Sequence, residues 1–273
     1  MGDVFLTSGL AIGFLMLVTW ALSGAVGNAS IVDLIWGLGF VLIAWAVFIL
    51  HAPGPASSEL ATDRDRSMLV VWLTSVWGLR LSGYLAWRNV GKGEDYRYRA
   101  MRGRHGDRFF WVSLGTVFGL QGALMWIVSL PVQAAIAHPG AVDVVGMLLI
   151  PGVVLWAVGV VFETTGDFQL ARFKGDPANK GEVMDRGLWK YTRHPNYFGD
   201  FCVWWGLFLI ALDAGHWWTV AGPVVMTALL MKYSGAGLLE KTIADRRPGY
   251  DAYMKRTSAF FPMPPKDRPP PSS

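Results

Sequence analysis

Ile31-Val-Asp-Leu-Ile-Trp-Gly-Leu-Gly-Phe-Val-Leu-Ile-Ala-Trp-Ala-Val-Phe-Ile-Leu50 decides the fold. The run has the length that one helix needs to cross the hydrocarbon of a bilayer, about 20 residues, and it carries a single ionisable group. It has neither the alternation of a half-buried strand nor the polar face of a surface helix. Six more runs of this kind are found, which places the spans at 5–26, 31–50, 68–87, 109–135, 142–164, 198–213 and 217–235. The expected fold class is therefore an all-α integral membrane protein with seven transmembrane helices in a single domain, residues 1–263. The polar, proline-rich end, residues 264–273, is expected to be disordered.

Composition agrees. Only 16% of the residues are charged, against about a quarter in soluble domains. Mean hydropathy is +0.36, and many of the 14 tryptophans sit near the ends of apolar runs, as in an interfacial belt. The first run begins at Phe5 with no basic residue before it, so no cleaved signal peptide is expected. Cys202 is the single cysteine, which excludes an intrachain disulfide, and it reads as a packing residue.

Loop charges set the orientation. Lys92, Arg97, Arg99, Arg102, Arg104 and Arg108 follow the third run. Arg172, Lys174, Lys180, Arg186, Lys190 and Arg193 follow the fifth. Lys232, Lys241, Arg246, Arg247, Lys255, Arg256, Lys266 and Arg268 follow the seventh. Between the second and third runs, Arg64 and Arg66 are offset by Glu59, Asp63 and Asp65, and 136–141 and 214–216 carry no Lys or Arg. Seven spans with the N-terminus outside put every basic loop, 88–108 and 165–197 included, on the cytoplasmic side together with the C-terminus.

An ionisable group inside a span costs about 2.5–3.5 kcal/mol on insertion scales and so marks a site. Asp33 lies near the start of the second run, in Asn28-Ala-Ser-Ile-Val-Asp-Leu-Ile-Trp36, and Arg80 lies inside the third. Glu163 and Asp167 are four residues apart on one helix face, a spacing that Asn196, Asp200 and Trp204 repeat. Interfacial solvation is the plain alternative for Glu163 and Asp200. The stretch Arg88-Asn-Val-Gly-Lys-Gly-Glu-Asp-Tyr-Arg-Tyr-Arg99 mixes bases for phosphate with tyrosines for stacking, which suits an anionic, aromatic cofactor or an ordered structural loop. In Gly187-Leu-Trp-Lys-Tyr-Thr-Arg-His-Pro-Asn-Tyr-Phe-Gly-Asp200, Pro195 suits the first turn of a helix, whose start beside Arg193 and His194 favours an anion. The five histidines have no metal-ligand spacing, so no metal is expected.

Arg193-His-Pro-Asn-Tyr-Phe-Gly-Asp200 resembles the membrane NADPH-dependent reductases that include steroid 5α-reductases and sterol C14 reductases. The wider pattern resembles a bacterial branch placed with the steroid 5α-reductase C-terminal domain. It is carried by Val32-Asp-Leu-Ile-Trp-Gly-Leu-Gly39, Arg88-Asn89 with Glu94-Asp-Tyr-Arg97, Phe162-Glu-Thr-Thr-Gly-Asp-Phe-Gln169 and Tyr250-Asp-Ala-Tyr-Met-Lys-Arg-Thr-Ser-Ala-Phe-Phe-Pro262. The resemblance implies seven helices in an inner membrane, with NADPH held on the cytoplasmic side. By that resemblance Asp167, Asn196, Asp200 and Trp204 match cofactor-contacting positions, and Arg80, Arg97 and Lys174 are the expected phosphate contacts. Tyr98, Glu163, Arg193, His194, Tyr197 and Tyr253 complete the candidate cofactor set. Asp33 falls near the acidic residue that holds the substrate carbonyl. The tyrosine paired with it in the steroid enzymes is Trp77 here, and the nearest is Tyr84.

The implied reaction is reduction of an activated C=C bond in an apolar, steroid-like or other enone lipid, with Asp33 or Tyr84 as proton donor. Membrane lipids are the other expected partners, with no nucleic acid and no obligate protein partner. Isoprenylcysteine carboxyl methyltransferases carry a similar Arg-His-Pro-x-Tyr-x-Gly, so a methyltransferase using S-adenosylmethionine is the rival. That class often has a Glu-Glu pair where this chain reads Glu240-Lys241. A non-enzymatic lipid-binding protein is the third reading.

Overall fold

The computed structural model describes residues 1–54, 58–140, 147–233 and 249–266. Among them the chain is helical, apart from one isolated bridge between Thr192 and Ser258. In a bilayer every backbone N–H and C=O must be satisfied within its own segment or barrel, and helices do this locally. Among the described residues, five helices are long and apolar enough to cross a membrane: Gly2–Val26, Ile31–His51, Asp63–Asn89, Tyr96–Val128 and Leu149–Gly175. Trp217–Met231 is a shorter apolar helix. Two compact units are formed, one from Met1–Leu148 with Ile210–Gly222, the other from Leu149–Leu209 with Pro223–Ser273.

In the first unit, α1 is Gly2–Val26, α2 Ile31–His51 and α3 Ser58–Asn89. α1 is apolar all round and has no amphipathic pattern. Its buried stripe is Val4, Ser8, Ile12, Met16, Thr19 and Ser23, while Leu6, Leu10, Phe14 and Leu22 face outward. Gly27, at φ 68°, closes it in the left-handed conformation that glycine adopts without strain. α2 and α3 meet backbone to backbone. A Cβ on Gly37 would stand 2.0 Å from the Gly78 carbonyl oxygen, and one on Gly78 would stand 2.6 Å from that of Gly37. Small residues admit such contacts, and close packing is the main attraction between helices where no hydrophobic drive exists.

Residues 63–67, expected in a loop, are helical, because α3 starts at Ser58. This puts Arg66 against Asp213 in an ion pair, and Asp213 also accepts the Leu148 N–H at 3.0 Å. The expected loop 88–108 contains a helix too, α4, Tyr96–His105, capped by the Asp95 carboxylate on the Arg97 N–H. The long fourth run divides. α5 (Phe109–Ser113) passes through a π turn at Leu114–Gly119 into α6 (Leu120–Val128). At Ser129 the helix turns into α7, Leu130–Ala137, with Pro131 in its first turn. The buried Gln133 fills the bend: it accepts from Ser8 at 2.7 Å and donates to Ser129 Oγ at 2.7 Å and to the Trp126 carbonyl at 3.0 Å.

In the second unit, α8 is Leu149–Gly175, which runs into the expected loop 165–197. α9 is Pro195–Asp213, starting at the proline as the sequence predicts. Glycines at seven-residue spacing form the seam between them. Gly206 packs on Gly152, Gly199 on Gly159, and Gly166 on Pro195 and Asn196, so the helices run antiparallel. The chain continues through a 3-10 turn (Trp217–Val220), α10 (Ala221–Ala228) and a π turn (Leu229–Tyr233). The start of the expected fifth span at 142, the end of the seventh at 235, the Lys232 side chain, Glu240, Lys241, Arg246, Arg247 and residues 267–273 lie outside the described residues.

Gly37→Ala is expected to destabilise the protein by about 1–3 kcal/mol, the usual cost of overpacking. Gly13, whose Cβ would meet nothing within 4 Å, is the control: Gly13→Ala leaves the denaturation midpoint in detergent unchanged or raises it. Equal midpoints for both variants would mean that the glycine contact does not hold α2 to α3.

Candidate functional site

Each unit carries its own polar cluster. In the first, Asp33 on the opening turn of α2 is the acceptor end of a directed chain. The Trp36 indole N–H donates to Gln121 Oε1 at 2.6 Å, Gln121 Nε2 donates to the Tyr98 oxygen at 3.1 Å, and the Tyr98 hydroxyl donates to Asp33 Oδ1 at 2.7 Å. Arg97 Nη2 donates to Asp33 Oδ2 at 3.0 Å, and its Nε holds Asp95 at 3.0 Å. Tyr98 is buried, whereas the Arg97 side chain keeps 49% of its surface exposed. α4 therefore presents adjacent residues inward and outward. Asp33, Arg97 and Tyr98 come together, although the sequence reading sets Asp33 at the substrate and Arg97 and Tyr98 at the cofactor.

Tyr84 lies on α3, its ring 6.0 Å from that of Trp87 and under the Arg88 guanidinium at 5.5 Å. Arg80 is half-buried one turn earlier. The hydroxyl that Asp33 holds belongs to Tyr98, on a helix the sequence reading treats as loop. Gln121 was not singled out in the sequence; a lone amide in the apolar run 109–135 was the available signal, and Gln133 gave the same one.

The segment before α4 is fixed by Glu94. Its carboxylate accepts the Ala29 N–H at 2.8 Å and Arg102 Nη2 at 2.8 Å, and the Ser30 hydroxyl accepts the Asp95 N–H at 2.6 Å. Burial pushes the Glu94 pKa upward, but the bonds from Arg102 and the Ala29 N–H outweigh it and hold the pKa below its ordinary value of 4.5. A depressed carboxyl pKa stabilises the fold above the unfolded pKa, and the stabilisation is lost as pH falls through the folded value.

In the second unit, Glu163 and Asp167 on α8 are both buried, 4% and 5% exposed, on the helix face that the glycines open toward α9. Asn196 Nδ2 donates to Asp167 Oδ1 at 3.3 Å. Glu163 packs against Gly199, whose missing side chain leaves room for it. Asp200 lies one turn beyond Asn196, and Trp204 is fully buried one turn further. His194 and Tyr197 stack face to face at 5.2 Å. Lys174 stands exposed in the last turn of α8 beside Arg172.

Two members of the candidate cofactor set clamp the carboxy-terminal segment. Arg193 Nη1 donates to the carbonyls of Met254 at 2.8 Å and Thr257 at 3.3 Å, and the Tyr253 hydroxyl donates to the Trp189 carbonyl at 2.6 Å. The Thr192 hydroxyl donates to the Phe260 carbonyl, the Met263 N–H to that of Tyr191, and Arg256 pairs with Asp185. A small core of Phe173, Met184 and Trp189 with Leu170 lies beneath, and the Trp189 indole N–H donates to the Gly166 carbonyl at 3.1 Å. The string Gly187–Asp200 is thus anchored along its whole length.

Apolar spanning helices with buried carboxylates and amides at their ends define an all-helical membrane protein with a polar site in each unit. The family model described as "Protein of unknown function (DUF1295)" matches residues 19–257, and the chain belongs to that family. The Probable O-methyltransferase ustE of Ustilaginoidea virens is 35% identical to it over 72 residues, 26% of this chain. The chain covers 25% of that relative's length. No solved structure matches.

Protection of the Ala29 amide, its exchange rate relative to an unstructured amide at the same pH, is expected to be full above pH 4.5 and to fall as Glu94 is protonated at lower pH, with Glu94→Gln flattening the profile. Protection at Ala29 that does not change with pH in the unaltered protein would contradict that assignment. Arg193→Ala is expected to release the segment 249–266 to limited proteolysis while α8 and α9 stay protected; unchanged cleavage would remove the clamp from the account.

Proposed function

We propose that the protein is a membrane-embedded, NADPH-dependent reductase of an activated C=C bond in an apolar enone lipid. The observation that carries this is the Tyr98 hydroxyl held at 2.7 Å by Asp33 inside an apolar helix bundle. An ordered, buried phenol beside a carboxylate is what a developing enolate oxygen needs, and low dielectric strengthens it. The family's relation to steroid 5α-reductase-like membrane proteins supports the same class.

The donor chemistry of the second unit fits the dinucleotide. Glu163, Asp167 and Asp200 are acceptors for ribose hydroxyls and amino groups, Asn196 offers both functions, and Lys174 supplies positive charge for phosphate. The chemistry that a nicotinamide supplies when bound is hydride donation. Tyr98 would turn its hydroxyl from Asp33 Oδ1 to the carbonyl oxygen and give the proton, with Gln121 Nε2 still donating to the phenol oxygen. Asp33 would orient Tyr98 rather than donate: both its oxygens already accept, from Tyr98 and Arg97, as those of an ionised carboxylate do. With Tyr84 packed on Trp87, Tyr98 replaces it as the second member of the pair.

In this reading α9, of 19 residues, and Trp217–Met231 complete seven spans beside the five longer helices. A helix of 19 residues is about 28 Å long, close to the hydrocarbon thickness. The C-terminus is assigned to the cytoplasm of a bacterial inner membrane on loop charge.

A second reading is favoured by the methyltransferase-named relative: transfer of a methyl group from S-adenosylmethionine, in which Asp167 and Asn196 would hold ribose or amino-acid groups. The readings part at phosphate, which that methyl donor lacks.

Tyr98→Phe and Asp33→Asn are expected to lower NADPH consumption with enone lipids, 3-oxo-4-ene steroids among them, by about a hundredfold, as for loss of a general acid. NADPH affinity should stay within twofold. Asn196→Ala should instead weaken NADPH binding. Unaltered turnover in Tyr98→Phe would remove the phenol from the reaction.

A further inference from the structure

The face of α1 toward the π turn holds a feature that the reductase reading does not use. Between α1 and the α5–α6 segment runs an apolar groove of about 370 Å³. On α1 it extends from Gly9 to Leu17, about 12 Å at 1.5 Å per residue. Glycines keep it open. A Cβ on Gly13 would meet nothing within 4 Å, and one on Gly119 would meet only the backbone of Leu114 in its own π turn. Trp126 is the lining residue whose side chain carries a polar hydrogen, and its indole N–H is bound to the Phe5 carbonyl and Ser8 Oγ. The groove therefore offers hydrogen bonds to nothing and suits a hydrocarbon chain.

Its Leu17–Leu114 end changes character. Trp20 stacks on Phe110 with ring centres 4.2 Å apart and donates to the Phe110 carbonyl at 2.9 Å. Trp111 lies 5.3 Å from Trp20 and is 67% exposed, the amphipathic ring expected where hydrocarbon meets headgroup. Just before this cluster in the chain, Arg104 and Arg108 are exposed. Neither bonds a carboxylate among the described residues, in contrast to Arg102, which Glu94 holds. Asp107, also exposed, is the acidic group on that turn, so the net charge there is positive.

We propose that this face is a binding site for one anionic phospholipid, with an acyl chain in the groove, Trp20 and Trp111 at the level of the glycerol, and the phosphate on Arg104 and Arg108. A chain filling the groove regains the dispersion contacts that open glycines forgo. Two cations near a membrane surface favour an anionic headgroup.

Native mass spectrometry of the full-length protein, equilibrated with phosphatidylglycerol or phosphatidylcholine of identical chains, tests this. One retained phosphatidylglycerol per protein is expected, in preference to phosphatidylcholine. Arg104→Gln and Arg108→Gln should each cut that preference about fivefold, from the usual near-surface attraction per arginine. Gly13→Leu should fill the groove and abolish retention of both lipids at an unchanged thermal midpoint. Equal retention of the two lipids by the unaltered protein, or full retention by Gly13→Leu, would overturn the proposal. If Gly13→Leu fails to fold, the arginine variants still decide it, because an unchanged preference in both contradicts the headgroup assignment.

Discussion

The contact of one helix backbone with another through glycine is the constraint on which each unit depends. In hydrocarbon, apolar side chains gain nothing by leaving lipid for protein, so close packing and hydrogen bonding must hold helices together. α2 and α3 meet this requirement at Gly37 and Gly78. α8 and α9 meet it along Gly152, Gly159 and Gly166 against Gly206, Gly199 and Pro195. The seven-residue spacing keeps these positions on one stripe over successive pairs of turns, with the drift of an ideal helix absorbed by the short length of the seam.

The same seam makes room for polar groups. With no side chain on Gly199, Glu163 sits buried against α9, and Gly166 lets Asn196 approach α8 closely enough for Asp167 to accept its amide. In the first unit Asp33 meets Arg97 and Tyr98, Arg66 meets Asp213, and Arg80 lies half-buried within α3. Gln133 is uncharged and buried: its amide donates into the bend it stabilises, and its oxygen accepts from Ser8 on α1. Buried polar groups without partners would be severely penalised in such a medium. Their pairing confines the choice of ligand-contacting groups to those with capacity left over, such as Arg97, exposed on one side of its ion pair.

Long apolar runs made α1, α2, α8 and the start of α9 legible in the sequence. Pro195 marked its helix start because a missing N–H is harmless there. Partners were far less legible. Nothing local to Asp33 names Tyr98, 65 residues away, as the hydroxyl it holds. The 88–108 stretch read as loop because its charge density hides a helical turn that Asp95 caps. The fourth run read as one straight span, whereas Ser129 with Pro131 bends it and the π turn at Leu114–Gly119 shifts its face. Arg66 read as a solvated loop charge because its partner, Asp213, is remote in sequence. The glycine seam is visible in the sequence as a period of seven, Gly152, Gly159 and Gly166 in one run and Gly199 and Gly206 in another, but the period alone does not say that the two runs face each other. Of the candidate cofactor residues, Arg193 and Tyr253 hold the carboxy-terminal segment, so their spacing carried a structural message alongside any functional one.

The central claim is that the buried acceptors of α8 and α9 serve a phosphate-bearing dinucleotide. Its most direct test is the thermal shift of the detergent-purified, full-length protein with NADPH and with S-adenosylmethionine, each compared in the unaltered chain and in Asp167→Asn. The account predicts stabilisation by NADPH that Asp167→Asn loses, with no response to S-adenosylmethionine. Stabilisation by S-adenosylmethionine alone would contradict it and assign the same residues to methyl transfer.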